Sequence, residues 1–228
     1  MIRKYKGTIV KREKLAPDVD LFSVELEGLM AFQPGQFAMV YVEDDPKEMR
    51  AFSLCSLPNG RVVEFCIKLY AGGKFSPKIF QKQVGDVLTV KGPYGLFTLA
   101  DVNEDIVLIA GGTGIAPIRS MLLEHQRDHK DQMVWLFYRF KNREGFLFRK
   151  ELERLGRGAN VKVVPTVSNP DASWDGEVER VHKIIGKYVP DLKKKYVYIC
   201  GPPKMVDTTI GELVKLGCEK ERIHREVW

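Results

Sequence analysis

Near residue 100 the chain changes its hydrophobic rhythm, and that change limits it to two differently built halves. From residue 5 to about 92, short β-rich runs recur with turn residues between them: YKGTIVKR (5–12), DLFSVELE (20–27), GQFAMVYVE (35–43), AFSLCS (51–56), RVVEFCIKLY (61–70) and DVLTVKG (86–92). Evenly spaced short strands suggest an antiparallel barrel or sandwich. The segment 76–82, Ser-Pro-Lys-Ile-Phe-Gln-Lys, reads instead as one short helix, because serine suits an N-cap and proline a first helical position. Beyond about 105, strands alternate with helices. The strands are IVLIA (106–110), QMVWLFY (132–138), NVKVVPTVS (160–168), YVYIC (196–200) and a last short one in RIHREVW (222–228). Helices are expected over 117–130, 145–156, 177–189 and 203–217. That alternation predicts a parallel, doubly wound sheet. The boundary is expected at 100–104, which divides the chain into domains over 1–102 and 103–228.

A length of 228 residues fits one large domain or two small ones. The apolar run IVLIAGGTGIAP (106–117) is broken by glycines and is shorter than the ~18 residues a membrane helix needs. MIRKYKGTIVKREK has no long apolar core, so no secretory signal is expected; a soluble, cytoplasmic protein without membrane insertion is. The net charge is +6, with 14 basic against 11 acidic side chains in 1–100 and 22 against 19 in 101–228, hence no basic arm. Lys193-Lys194-Lys195 reads as a solvated loop, and no nucleic-acid partner is expected. Cys55, Cys66, Cys200 and Cys218 are spaced by 11, 134 and 18 with no C-x-x-C. Zinc and iron–sulfur sites need clustered thiolates, so no metal site is expected and any redox chemistry needs a bound organic cofactor.

Five motifs bear on chemistry. Ala110-Gly111-Gly112-Thr113-Gly114-Ile115-Ala116-Pro117 joins a strand to a helix. It is either a tight strand–helix turn or a phosphate site, in which free N–H groups and the helix dipole attract an anion. The G-x-G-x-x-G fingerprint is absent, since Pro117 stands at the third glycine position. Cys200-Gly201-Pro202-Pro203-Lys204-Met205 lies at another strand end and opens another helix, so a shared site is plausible. In Arg50-Ala51-Phe52-Ser53-Leu54-Cys55-Ser56, strand alternation puts Arg50, Phe52 and Leu54 on one face and Ser53 on the other. Arginine forks onto phosphate, an aromatic stacks on a planar ring and a hydroxyl bonds a ring nitrogen; an ordinary amphipathic strand reads the same way. Tyr70-Ala71-Gly72-Gly73-Lys74-Phe75-Ser76-Pro77 is an anion site or a plain turn, and Gly92-Pro93-Tyr94-Gly95-Leu96-Phe97 is turn chemistry first.

Taken together and in this order, RAFSLCS, GGKFS, GPYG, GGTGIAP and CGPPKM resemble the ferredoxin–NADP reductase superfamily over essentially the whole chain. The resemblance implies an N-terminal antiparallel Greek-key FAD barrel and a C-terminal doubly wound α/β nicotinamide domain. It implies that Arg50 neutralises the FAD pyrophosphate, that Phe52 packs on the isoalloxazine where relatives have tyrosine, and that Ser53 bonds near N5. Ala51 belongs to the same flavin segment, and Ile67, Lys68 and Leu69 line the flavin through their backbone. Gly73, Lys74, Phe75 and Ser76 hold the pyrophosphate. Gly112, Thr113 and Gly114 meet the nicotinamide nucleotide phosphates, with Cys200, Gly201, Pro202 and Met205 beside the nicotinamide. The ending Glu226-Val227-Trp228 is similar to the Glu-x-Tyr ending of plant-type members, in which the terminal aromatic covers the flavin; Glu226 then orients the site. Ser53, Cys200 and Glu226 are the catalytic candidates.

The implied activity is hydride transfer from NADH or NADPH to flavin N5, then single electrons to a separate acceptor such as ferredoxin. A reductase using free flavin as substrate, or an electron-transfer subunit of a larger oxidoreductase, are the alternatives. NADP-specific relatives carry a Ser-Arg pair after the third α/β strand and a tyrosine beyond it; here these read Ser168-Asn169 and Phe148, which favours NADH. Arg139, Lys141, Arg143 and Arg149 lie nearby, and any of them is a candidate replacement for the missing arginine.

Overall fold

The computed structural model describes residues 1–42, 48–100 and 104–227. It divides into two compact units, Met1–Leu99 with Arg119–Glu124, and Ala100–Ile118 with His125 onward.

The first unit holds six antiparallel strands: β1 (Arg3–Ala16), β2 (Val19–Leu26), β3 (Phe37–Tyr41), β4 (Met49–Ser53), β5 (Val62–Lys68) and β6 (Val87–Tyr94), with helix α1 (Ser76–Phe80) between the last two. Their order is β4-β3-β6-β1-β2-β5. An antiparallel bridge between Leu54 and Phe65, backed by Cys55 N–H donating to the Glu64 carbonyl at 3.0 Å, joins the two outer strands and closes the barrel. Bulges in β1 at Ile9/Lys11 and Lys14/Ala16 supply the bend that closure needs. The interior is apolar, with Ile9, Phe22, Val40, Phe65 and Val90 almost fully buried. Arg12 fastens α1 to this barrel. Its guanidinium pairs with Asp20 at 2.7 Å, donates to the carbonyls of Phe80 and Lys82 at the helix end, and lies over the Phe22 and Phe80 rings at 5.1 and 5.2 Å.

The second unit is a parallel sheet of β7 (Ile106–Gly111), β8 (Val134–Phe140), β9 (Val161–Val167), β10 (Tyr196–Gly201) and β11 (Ile223–Val227) in the order β11-β10-β7-β8-β9. Its helices are α2 (Ile115–Asp128), α3 (Arg149–Leu155), α4 (Val181–Tyr188) and α5 (Pro203–Lys215). Val107, Ile109, Val197 and Ile199 pack with apolar residues of α4 and α5 on one face. The alternate residues Ile106, Leu108, Leu136 and Tyr198 are equally buried, so the strands read as unbroken apolar runs. Pro165 sits in β9, an edge strand, where a missing N–H is tolerated.

Two helices start later than the sequence pattern predicts. α3 starts at Arg149 rather than 145, because Phe146 is drawn under Phe140 (rings 4.7 Å apart) and Phe148 adopts a left-handed backbone at φ 55°. α4 starts at Val181 rather than 177. Residue 177 bridges to Thr166 of β9, and Val167 N–H donates to the Glu177 carbonyl at 3.0 Å, so extended pairing competes successfully with helix there.

His125, in the last turn of α2, is 2% exposed, with the His129 ring tilted against it at 5.6 Å. Burial, then the neighbouring His129 charge, depresses its pKa to about 4. A histidine depressed this way is folded neutral and unfolded partly charged below pH ~6.5. Its contribution is therefore whole above pH ~6.5 and is lost as pH falls toward 4, a change on the order of 3 kcal/mol. Urea midpoints measured between pH 7 and 4 should fall across that window, and His125→Leu should flatten the fall.

Candidate functional site

Two clusters of motif residues form, one in each unit. In the first, β4 carries Arg50, Ala51, Phe52 and Ser53 on an edge of the six-strand order. Arg50 and Ala51 are exposed, Phe52 is half-buried and Ser53 is buried. The Phe52 ring meets the Phe75 ring at 5.5 Å, which brings the RAFS and GGKFS segments to one place. The turn between them is pinned by Ser76. Its hydroxyl accepts from Tyr70 N–H at 2.9 Å and donates to the Tyr70 carbonyl at 3.2 Å, while Gly73 N–H donates to the same carbonyl at 2.8 Å. A side chain at Gly73 would press on that carbonyl at 3.0 Å, whereas Gly72 faces open space. Ile67 is fully buried, Leu69 N–H donates to the Asp18 carbonyl at 2.7 Å, and Lys68 pairs with Asp18 at 3.2 Å.

This cradle has the donors a flavin dinucleotide needs, and they are not committed elsewhere. Among the described residues, Arg50 bonds only the Met49 carbonyl, and Lys74 has no ion-pair partner. The Ser53 hydroxyl likewise makes no hydrogen bond among them, although the residue is 5% exposed.

In the second unit the strand order reverses between β7 and β10, and ligands of such sheets bind beyond the carboxyl ends of the strands at that point. The GGTG and CGPP turns both lie there, because Ala110 pairs with Cys200 in register. They touch backbone to backbone. A side chain on Gly114 would strike the Cys200 carbonyl, and one on Gly111 would come within 2.6 Å of the Met205 sulfur. Gly112 is left-handed at φ 55° and faces open space, so its turn is both glycine-dependent and accessible. Thr113 is half-buried beside it, and Gly201 is buried. A cavity of about 410 Å³ opens here, in the range of small-molecule sites, lined at one side by Gly111, Gly112, Pro202 and Met205.

Cys200 is fully buried beneath these turns. Burial first, and the Glu226 carboxylate second, push its thiol well above the usual range, so it stays protonated. Glu226 pairs with Cys200 in the β10–β11 register and is half-buried. Trp228 lies outside the described residues. Phe148 is not among the cavity-lining residues, and two of the four cations expected to compensate for Asn169 point elsewhere: Arg143 binds the Ser173 carbonyl at 2.9 Å and Arg149 pairs with Glu153 at 2.6 Å. Arg139, Lys141 and Ser168 do line the cavity, joined by Lys204 of the Cys200–Met205 turn and by Arg180 and His182, which the sequence pattern places inside a helix over 177–189. Among the described residues, no group of His, Cys, Asp and Glu is placed to hold a metal ion, and no helix is long and apolar enough to cross a membrane.

Comparisons with known proteins agree with this division. A family model described as the oxidoreductase FAD-binding domain matches residues 6–99, and one described as the oxidoreductase NAD-binding domain matches 108–210. The electron transfer component of the xylene/toluene monooxygenase of Pseudomonas putida is 33% identical over 94% of this chain and 63% of its own. The sulfhydrogenase 2 subunit gamma of Pyrococcus furiosus is 32% identical over 97% of this chain and 82% of its own. The ferredoxin reductase structure in carbazole 1,9a-dioxygenase superposes with a TM-score of 0.90 at 27% identity, covering 99% of this chain and 69% of that one. The protein belongs to the ferredoxin–NADP reductase family, flavin- and nicotinamide-binding oxidoreductases with a barrel and a parallel α/β sheet. It spans less than two thirds of the first of these relatives.

The contact between the two glycine turns gives a direct test. Gly114→Ala should lower the unfolding free energy by about 1–3 kcal/mol, because backbone rather than a flexible side chain must yield. Gly211→Ala, in α5 with open space around it, should raise it by about 0.5–1 kcal/mol. Urea denaturation of the two variants reads both.

Proposed function

We propose that the chain is an FAD-dependent NAD(P)H reductase delivering single electrons to a separate carrier protein such as a ferredoxin, with residues 1–102 holding the flavin and 103–228 the nicotinamide nucleotide. The observation that carries this reading is the contact of Phe52 with Phe75, which brings the Arg50–Ser53 strand and the pinned glycine turn to one barrel edge. FAD, when bound, supplies the step between a two-electron donor and a one-electron acceptor.

The chain's own residues supply binding and alignment. Arg50 and Lys74 offer charge to the pyrophosphate, with N–H groups of the Gly73–Ser76 segment beside them. Phe52, flanked by Ala51, presents an apolar ring to the planar heterocycle, and Ser53 donates its hydroxyl proton to a ring acceptor where the hydride arrives. The backbone of Ile67, Lys68 and Leu69 completes the wall. Gly112, Thr113, Gly114, Gly201, Pro202 and Met205 form the nicotinamide nucleotide's seat. Cys200, buried beneath these turns and held as a thiol, supports the seat from below and is no nucleophile. Glu226, beside it, holds or releases a proton. The likeness to the sulfhydrogenase subunit, which this chain spans by 82%, supports a second reading as the electron-transfer subunit of a larger oxidoreductase.

After desalting, the protein should keep an oxidised flavin spectrum that bleaches anaerobically with a nicotinamide coenzyme. A colourless protein that FAD does not reconstitute overturns the reading in favour of flavin as a free substrate. Ser53→Ala should slow the bleaching by about 10–100-fold while the flavin stays bound. Co-purification with a stoichiometric larger partner would favour the subunit reading.

A further inference from the structure

The six-strand order of the first unit ends on β4 at one side and on β5 at the other, and the Leu54–Phe65 bridge joins those ends at one point. A single bridge is a weak guarantee of register. A slip of one residue would exchange the faces that Phe52 and Ser53 present, because side chains alternate along a strand. Beyond Ser53 the chain also leaves the carbonyls of Cys55 and Ser56 in a buried stretch outside the strands. Buried carbonyls need donors.

The donors come from Arg119 and Ser120 of α2, whose stretch Arg119–Glu124 belongs to the first unit. One guanidinium nitrogen of Arg119, Nη1, donates to the Cys55 carbonyl at 2.7 Å and to the Glu64 carboxylate at 2.8 Å. The Ser120 hydroxyl donates to the Ser56 carbonyl at 2.6 Å. Glu64, on β5, is tied to the same stretch through its backbone: its N–H donates to the Ser56 hydroxyl at 3.2 Å, and its carbonyl accepts from Cys55 N–H at 3.0 Å. Its other carboxylate oxygen accepts from the Ser23 hydroxyl at 3.4 Å. Arg119 therefore holds both sides of the bridge at once. Its side chain is 11% exposed and that of Glu64 23%, so the pair is shielded from salt and water, where short charge-assisted bonds hold geometry well.

On its other side Ser53 pairs with Phe37 of β3, and Leu54 N–H donates to the Gln36 carbonyl at 2.9 Å. Ser53 thus sits between a ladder and a clamp that grips the chain two residues on. Resting on the flavin reading above, we infer that Arg119, assisted by Ser120, is a positioning residue for flavin reduction: it fixes the register in which β4 crosses to β5, and so the place of the Ser53 hydroxyl against the flavin ring. Its Nη1 is engaged by the Cys55 carbonyl and Glu64, so Arg119 acts through Ser53. Misplacing an aligned group by about 1 Å costs up to roughly 100-fold in rate while binding persists.

The test uses the full flavoprotein, reduced anaerobically by whichever nicotinamide coenzyme bleaches it faster. It compares Arg119→Ala, Arg119→Lys, Ser53→Ala and the double variant Arg119→Ala/Ser53→Ala. Arg119→Ala should bleach about 10-fold more slowly at saturating coenzyme, keep its flavin on desalting, and hold the half-saturating coenzyme concentration within about twofold. Arg119→Lys, which keeps a charged donor, should recover part of the rate. The double variant should bleach within about twofold of Ser53→Ala, because the two residues act as one unit. A double variant slower than Ser53→Ala by the full factor of Arg119→Ala overturns the inference, and so does an Arg119→Ala protein that bleaches at the wild-type rate; either leaves the flavin reading standing. If Arg119→Ala does not fold, Arg119→Gln takes its place in the cycle and the same outcomes decide. If the wild-type protein holds no flavin, the flavin reading itself fails and takes this inference with it.

Discussion

Everything proposed for the second unit depends on two stretches of backbone lying against each other without side chains between them. Gly114 rests on the Cys200 carbonyl, and Gly111 on Pro202 and Met205. Only because no Cβ intervenes do two separate strand–helix turns merge into one floor. That floor falls where the strand order reverses, the place at which ligands of such sheets bind. Cys200 is buried as a consequence, which keeps it a thiol and removes it from covalent chemistry.

The first unit solves a comparable problem differently. Its binding edge is not a switch point but the rim of a closed barrel, and it is organised from outside. Arg12 clamps the end of α1, α1 fixes Ser76, and Ser76 holds the turn that begins at Tyr70. The Phe52–Phe75 contact then couples that turn to β4. Each link is local, but together they set the spacing between Arg50, Ser53 and Lys74, residues far apart in sequence.

The strands and helices were legible because burial writes itself plainly: β7 is an uninterrupted apolar run, and the barrel strands alternate between turns. Motif order revealed the glycine turns and the RAFS strand, since glycine and proline at fixed offsets have few other uses. What escaped was any feature set by competition between distant segments. Residues 177–180 have helical character locally, yet Thr166 and Arg139 pull them onto β9. Arg143 and Arg149 look equivalent to Arg139 in sequence, but Asp171 and Glu153 claim them. No single-residue pattern encodes which acid reaches which base, so the charge lining the cavity is visible only once the chain is folded.

The two sheets also differ in how they end. The Leu54–Phe65 bridge joins the barrel's outer strands at one point, and β4 itself is laddered only to β3 among the described residues. The parallel sheet keeps two margins, and each is blunted. On β9, Pro165 withholds a donor and residue 177 already occupies the bridge to Thr166. On β11, five residues long, the exposed Arg225 is paired to Asp207. Along β9 a foreign strand therefore meets an interrupted ladder, and that protection is supplied by Pro165 and residue 177.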